Sequence, residues 1–371
     1  MIKYFETLHR ERCAICSSLE LNDISEIRNV PIYMGVTTGC DDLTSDLRFA
    51  KCCVCNTIQI SGLVPPDILY SKNHNVDIVG AKWNRHFKEL SKLISEELDT
   101  SDILEVGDPS AKIASICDHD KWTIVEPNPD EAKCYNNVVF IKDIIENVEG
   151  GNFSGVVLSH VLEHAVEPLQ LLKHIRTLMR SEAKLCISIP NMSEFVVNRQ
   201  LPPLGMHFEH TFFLDIERLT YMLEASGFKI RTMRQFEEHS MFIIADKSEA
   251  TDNMTISSDF STELVKIIDD YRALVNSINY KINNKKHIFL YGAHIMAQML
   301  LSLGLNGDNI ECILDNSTSK IGHRLYGTNL HVNSPSILQG IRTPVVICHM
   351  GPYTDEIKSQ IMQINKEVNF L

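Results

Sequence analysis

The 371-residue chain has no apolar run longer than a single strand, which excludes a helical membrane span. It has no basic excess. Its 35 Lys and Arg stand against 48 Asp and Glu, for a formal net charge of −13, and this argues against a protein that tracks a nucleic-acid backbone. A small anionic substrate stays possible, since a local basic pocket can sit on an acidic surface. There is no low-complexity tract and no short-period repeat. The opening Met1-Ile2-Lys3-Tyr4-Phe5 runs straight into charged residues, without the pattern of a secretory signal. A cytoplasmic protein is expected, with neither membrane nor nucleic acid as partner; oligomeric state is left open.

Cysteine, by contrast, is plentiful. Eleven are present, and without a secretory signal they are expected to stay reduced and to bind metal rather than pair. Two clamps stand out near the start, Cys13-Ala-Ile-Cys16 and Cys52-Cys53-Val-Cys55. A two-residue spacer lets one tight turn aim both thiolates at one ion, and two such turns complete a four-cysteine zinc site. Cys13, Cys16, Cys52 and Cys55 are the expected ligands, with Cys53 left over. Four protein ligands leave no open position, so this zinc would be structural and the chemistry must lie downstream.

Length and patterning divide the rest. Residues 1–64 form the cysteine-bearing module, and Pro65-Pro66 punctuates the chain. Between 67 and 97, Trp83, Phe87, Leu90 and Leu93-Ile94 recur at helical spacing. Strands are then expected at 102–107, 122–126, 138–141, 155–159 and 184–189, with a helix through Leu169, Leu172 and Ile175. Alternating strands and helices imply a parallel, doubly wound α/β sheet within 65–250. A linker and an amphipathic helix through Leu264, Ile268 and Leu274 fill 251–285. A smaller α/β unit follows at 286–371, with strands at 287–293, 310–315 and 345–348.

In such a sheet, ligands bind beyond the carboxyl ends of the strands. Leu104-Glu105-Val106-Gly107-Asp108 brings a glycine where backbone must approach a ligand, and Glu126 ends the second strand, placed to accept both hydroxyls of a ribose. These point to an adenosine-type cofactor. The loop Asp108-Pro109-Ser110-Ala111 lacks the further glycines of a pyrophosphate cradle, which favours S-adenosylmethionine (SAM) over a dinucleotide. In the last unit, the Tyr291-Gly292-Ala293-His294 turn is placed to bind a nucleotide diphosphate at a helix N-terminus, and Asp315 to accept from a ribose. After the fifth strand's Pro190-Asn191, Met206-His207-Phe208-Glu209-His210 packs three ionisable side chains into four residues, a candidate acid/base loop.

The order of cysteine module, SAM-type Rossmann unit and C-terminal α/β unit resembles the sugar C-methyltransferases of deoxysugar biosynthesis over nearly the whole chain. Carrying the resemblance are Lys51–Ile60, Pro65-Pro66-Asp67-Ile68-Leu69-Tyr70, Val125-Glu126-Pro127-Asn128-Pro129, Val157-Leu158-Ser159-His160-Val161-Leu162-Glu163-His164, Tyr291-Gly292-Ala293, Asp315-Asn316, Lys320-Ile321-Gly322 and Ser334-Pro335. The resemblance implies a class I SAM-methyltransferase fold, Pro127 at the ribose turn, and Ser159 with His160 beside the cofactor. It also implies a mechanism in which a base removes the proton beside the ketone of a nucleotide-linked 4-keto sugar and the enolate takes the methyl group. Glu209 and His210 match the family's Glu-His pair, with His210 as base oriented by Glu209, and His164 matches another active-site histidine. The family's Tyr is replaced by His207, and a second Tyr expected after Pro-Pro is not evident, leaving His74 as the nearest polar substitute for contacting the acceptor. With two phenols missing, O- or N-methylation of a similar substrate remains open. Two other classes were weighed: an NAD-dependent sugar enzyme, disfavoured by the absence of Tyr-x-x-x-Lys, and a non-enzymatic zinc-stabilised binding protein with a decayed cofactor site.

Overall fold

Four thiols fold the first sixty residues back on themselves. The computed structural model describes residues 1–39, 41–70, 81–130, 136–351 and 354–371. In the N-terminal module, β1 (Ile2–Tyr4), β2 (Leu21–Pro31), β3 (Asp42–Cys52) and β4 (Ile58–Ile60) form a sheet in which β3 pairs with all three others. Leu47 and Phe49 alternate along β3 onto its fully buried face. Each cysteine clamp is a closed turn: the Cys13 N–H donates to the Ser18 carbonyl at 2.9 Å and the Cys52 N–H to the Thr57 carbonyl at 2.9 Å.

The middle unit is a seven-stranded sheet of β5 (Ile103–Val106), β6 (Trp122–Val125), β7 (Val138–Ile141), β8 (Phe153–Ser159), β9 (Met179–Pro190), β10 (Phe228–Phe236) and β11 (Ser240–Lys247). Their spatial order is β7-β6-β5-β8-β9-β11-β10, and β11 runs antiparallel to both its neighbours. The order reverses between β5 and β8, so the crevice lies beyond the carboxyl ends of those two strands. Helices α1 (Ala81–Glu97), α2 (Pro168–Leu178) and α3 (Ile216–Ala225) accompany the sheet. The hairpin β10–β11 adds two strands to the five expected. β10 exposes most of its residues at the sheet edge, so its charged side chains mute the apolar signal of a strand.

The last unit begins with α4 (Ser261–Ile282), followed by β12 (Ile288–Tyr291), α5 (Ile295–Ser302), β13 (Cys312–Leu314), β14 (Val332–Asn333), β15 (Val345–Ile347), α6 (Thr354–Ile364) and β16 (Asn369–Phe370). Its all-parallel sheet has the order β14-β13-β12-β15-β16. Helix α4 is a shared spine. Leu264, Ile267 and Ile268 join the large core of the first two units, while Val275, Ile278 and Ile282 join the core of the last.

Two arginines, one partly and one wholly buried, fasten the N-terminal module. Arg324 donates to Asp42 at 2.8 Å, next to a short pairing of Val36–Thr37 with Arg324–Leu325. Arg218, on α3, is completely buried. It donates to Asp215 at 2.6 Å, to the hydroxyl of Thr57 at 3.1 Å, to the carbonyls of Asn56 and Ser258 at 3.0 and 2.9 Å, and to the Ser258 hydroxyl at 2.8 Å. It thus ties the second cysteine clamp to the middle unit. Arg218→Met keeps the aliphatic stem but leaves Asp215 buried without its partner. Breaking a buried pair in this way costs about 3–5 kcal/mol, so the variant is expected to show a clearly lowered midpoint in denaturant unfolding, and an unchanged midpoint would refute the role.

Candidate active site

At the carboxyl end of β5, Gly107 has φ +80°, a conformation that side chains rarely adopt, and a Cβ there would come within 3.0 Å of Val161. At the end of β6, Glu126 is half-buried; one carboxylate oxygen accepts from the Asn128 N–H at 2.8 Å. Pro127 beside it is exposed, and Ser159 ends β8 partly exposed. The open backbone at Gly107 and the carboxylate of Glu126 suit the adenosine of S-adenosylmethionine. Two other residues expected at the cofactor are otherwise engaged. Glu105 is fully buried and accepts from the Trp122 indole at 2.8 Å. Asp108 accepts from the N–H groups of Ser110 at 2.9 Å and Lys112 at 2.6 Å, so it shapes its own loop. The Asp-Pro-Ser sequence is a recognisable signal for such a turn.

The turn Leu162–His164 and the loop of residues 206–210 meet in front of this end of the sheet. His164 and His210 stack edge to face with ring centroids 4.7 Å apart, and His210 lies 4.2 Å from His207. The phenol of Tyr70 sits 3.0 Å from His164 Nδ1. Tyr70, the last residue of the Pro65–Tyr70 segment, thus brings a phenol to the histidines although none is evident in the sequence after it. His74 lies outside the described residues. The expectation that Glu209 orients His210 needs correcting. The Glu209 N–H donates to His207 Nδ1 at 3.3 Å, while its carboxylate oxygen Oε1 and His210 Nδ1 are buried without partners among the described residues.

A neutral cluster results. Burial holds the imidazole of His207 down to about 3 and that of His210 well below its usual value, with the neighbouring histidines adding to both. His164 is lowered for the same first reason, and burial alone raises Glu209 to about 7. All three histidines are neutral at physiological pH and have lone pairs available, though burial makes each a weaker proton acceptor than free imidazole.

The three units converge on His207. A small cavity beside it is lined by Pro31 and Met34 of the N-terminal module and by Ile295 and Gln298 of α5. His294 adds to the lowering of His207 electrostatically, which brings the turn of residues 291–294 towards the acid/base loop. The other groups expected to bind a nucleotide there are occupied. A Cβ at Gly292 would meet Met350 Sδ at 2.4 Å, so Met350 fills the space the glycine leaves. Asp315 accepts from the N–H groups of Ala293 at 2.8 Å and Ser317 at 2.9 Å and pairs with Lys320 at 3.5 Å, while Tyr291 is buried.

The four clamp thiols gather at one point, with Sγ–Sγ separations of 3.5 Å for Cys13–Cys55 and for Cys16–Cys52. A tetrahedral ion with metal–sulfur bonds of about 2.3 Å needs separations of about 3.8 Å. The donor set therefore fits. Cys53 is exposed and stands outside the cluster.

Residues 81–233 match the family described as a methyltransferase domain, and residues 230–370 match the C-methyltransferase C-terminal domain. The chain carries a methyltransferase domain followed by a C-methyltransferase C-terminal domain, and is a methyltransferase. Among solved structures, the methyltransferase is similar to the 1,6-didemethyltoxoflavin-N1-methyltransferase of Burkholderia thailandensis, at 15% identity over 53% of this chain and 98% of that one, TM-score 0.41. It is also similar to the N-methyltransferase NodS of Bradyrhizobium japonicum WM9 (14% identity, 45% and 97% covered, TM-score 0.34) and to the magnesium protoporphyrin IX methyltransferase of Synechocystis PCC 6803 (13%, 45% and 84%, TM-score 0.35). No curated protein matches the chain.

The buried histidines give the methyltransferase a pH signature. Their folded pKa values lie below the ordinary 6.5, so the stability they contribute is full above about pH 6.5 and is lost as pH falls towards the folded values. Glu209 works the other way: its contribution is full below about pH 4.5 and is lost as pH rises through about 7. The histidines outnumber it. For His207, and for His86, which is fully buried on α1 with its Nε2 2.9 Å from the Ser188 hydroxyl, each pH unit below about 6.5 costs up to about 1.4 kcal/mol per residue. Denaturant unfolding is expected to show stability falling steeply on the acid side, and a flat profile from about pH 7 to 5 would contradict the neutral cluster.

Proposed function

We propose that the enzyme methylates a carbon beside the carbonyl of a nucleotide-activated sugar, with His210 as the base. The observation that carries this reading is the row of neutral imidazoles His207, His210 and His164, with the phenol of Tyr70 behind His164. A carbon acid needs a base and also a donor for the developing enolate oxygen, and the ring nitrogens of this row with the Tyr70 phenol can supply both. His210 takes the proton through a ring nitrogen. His207 takes up part of the role of the family's Tyr by hydrogen-bonding the substrate oxygen, and Tyr70 fixes the orientation of His164. SAM, when bound, supplies an electrophilic methyl group; Gly107 gives its backbone room and Glu126 accepts from its ribose. The nucleotide end of the acceptor is assigned to the turn of residues 291–294, facing His207, with His74 a candidate contact to the sugar.

His210→Ala is expected to lower kcat by roughly two to four orders of magnitude while leaving SAM affinity unchanged, because a base acts in the transition state. Turnover with isotope-labelled methyl donor and a panel of nucleotide-linked keto sugars, read by NMR, reports the methylated atom. A methyl group on oxygen or nitrogen, or near wild-type kcat in His210→Ala, overturns the reading.

We also propose that Cys13, Cys16, Cys52 and Cys55 hold one structural zinc, in a compartment reducing enough to keep them as thiolates, as the cytoplasm is. Metal binding energy there is folding energy. Metal analysis is expected to give one zinc per chain, with Cys52→Ser destabilising the N-terminal module and Cys53→Ser nearly silent. Full zinc retention in a Cys13/Cys52 double variant refutes the ligand set.

A further inference from the structure

Glu163 and His164 are neighbours on the turn Leu162–His164, and His210 is held against that turn by the residue after it: the Thr211 N–H donates to the Glu163 carbonyl at 3.2 Å. One carboxylate oxygen of Glu163 and one ring nitrogen each of His164 and His210 all lie within 4.8 Å of one another. Each of the two turn residues has one atom anchored and another left over. Glu163 is wholly buried; its Oε1 lies 3.0 Å from His160 Nδ1, while its Oε2 has no partner among the described residues. His160 is itself fixed, with Nε2 3.0 Å from the Ser240 hydroxyl and its N–H donating to the Ser188 carbonyl at 2.8 Å. His164 Nδ1 lies 3.0 Å from the Tyr70 phenol, which leaves Nε2 as the ring's second donor atom. His210 Nδ1 is buried without a partner among the described residues. An ordinary polar core satisfies such atoms by pairing them. A metal site keeps its ligand atoms bare and engages their other atoms with neighbours that fix orientation.

We propose that Glu163, His164 and His210 form a site for a divalent ion of the zinc class, and that an ion there silences the enzyme by occupying the ring of the base. The site stands on the three donors alone; the silencing rests on the assignment of His210 above. Two imidazole nitrogens and one carboxylate oxygen suit zinc, cobalt or nickel, whereas magnesium and calcium take shells of oxygen. Three protein ligands leave a position open for water. His164 and His210 are only partly buried, which gives the ion a way in past their rings. Ligands of one tetrahedral ion with bonds of about 2.1 Å stand about 3.4 Å apart, so the trio closes on its ion by small side-chain rotations. Each imidazole binds through its unprotonated nitrogen and keeps the proton on the other. His164 then donates from Nδ1 to the Tyr70 oxygen while Nε2 takes the ion, and no proton is released. His210, bound in the same way, has no lone pair left for the acceptor's proton. The cysteine clamps make a closed site; this one is open and exchanges its ion.

The test uses the full chain with Co²⁺ as the probe metal, because absorption tells the two sites apart. Cobalt on thiolates gives intense sulfur-to-cobalt charge-transfer bands in the near ultraviolet, and cobalt on imidazole and carboxylate gives only d–d bands in the visible. The wild-type chain is expected to bind one cobalt of the second kind. Its affinity is expected to fall by at least about tenfold in Glu163→Gln and His210→Ala, and by about tenfold in Tyr70→Phe, which keeps every ligand and frees the ring of His164. The three variants alter different elements, so a folding failure in one leaves the others to decide. Absence of d–d bands free of charge transfer in the wild-type chain, or unchanged affinity in the variants that fold, overturns the site. Methyl transfer to a nucleotide-linked keto sugar is expected to fall as those bands grow, with unchanged SAM affinity, and to recover as a chelator removes that cobalt. Cobalt that fills the site without lowering turnover overturns the silencing. Near wild-type kcat in His210→Ala instead overturns the base assignment and the silencing with it, and the cobalt spectra still decide the site.

Discussion

The site depends on a backbone pairing between segments some 150 residues apart. The Ile60 N–H donates to the Thr211 carbonyl and the Phe213 N–H to the Ile58 carbonyl, both at 2.8 Å. Strand β4 of the cysteine module thereby grips the chain immediately after His210. The next bond inward, from the Thr211 N–H to the Glu163 carbonyl at 3.2 Å, joins the acid/base loop to the turn holding His164. Arg10 reinforces the junction, donating to the carbonyls of Ile60 and Val166 at 3.2 and 3.1 Å. A loop on an α/β sheet is normally free to vary. Here it is docked as though it were the edge of a sheet, so strand β4 of the cysteine-bearing module holds the chain that carries His207 and His210.

Burial explains why the docking must be firm. An imidazole is tolerated in a water-poor pocket only when neutral, and several packed together lower one another further. That makes a histidine row chemically idle unless its members hold fixed distances to the acceptor and to one another. Among the described residues, Glu209 Oε1, Glu163 Oε2 and His210 Nδ1 are buried without partners, and Glu163 and His210 come together with His164 in one cluster. Buried polar groups are rarely left so.

Much of this organisation is legible in the sequence, for reasons of locality. The cysteine clamps show because two-residue spacers are visible as such, and the five parallel strands because fully buried strands read as continuous apolar runs. The histidine loop shows because its three groups are adjacent. What is hidden is non-local or disguised. Arg218 sits on an amphipathic helix and reads as a surface charge; only the fold reveals that its guanidinium spans the clamp and residue 258. Ser240 and His160 are 80 residues apart and share no pattern. Asp108, Asp315 and Gly292 are ambiguous in the sequence, because residues suited to ligands also suit turns: each has contacts within its own unit, Gly292 with Met350.

The C-terminal unit is placed by α4. Its first half belongs to the same core as β4 and the residues around His210, its second half to the C-terminal sheet. A helix that supplies apolar side chains to two cores cannot tilt without opening one of them, and such cores tolerate little rearrangement. Gln298 adds a polar pin, accepting from the Gly35 N–H at 3.1 Å and donating to the carbonyls of Tyr33 and Tyr326 at 2.8 and 3.0 Å. The wall formed by the turn of residues 291–294 is therefore set by the same cysteine module that sets His210. The turn of residues 291–294 and the loop of residues 206–210 therefore share a single mechanical reference, which is how a chain of three units can keep two distant surfaces in register across one small pocket.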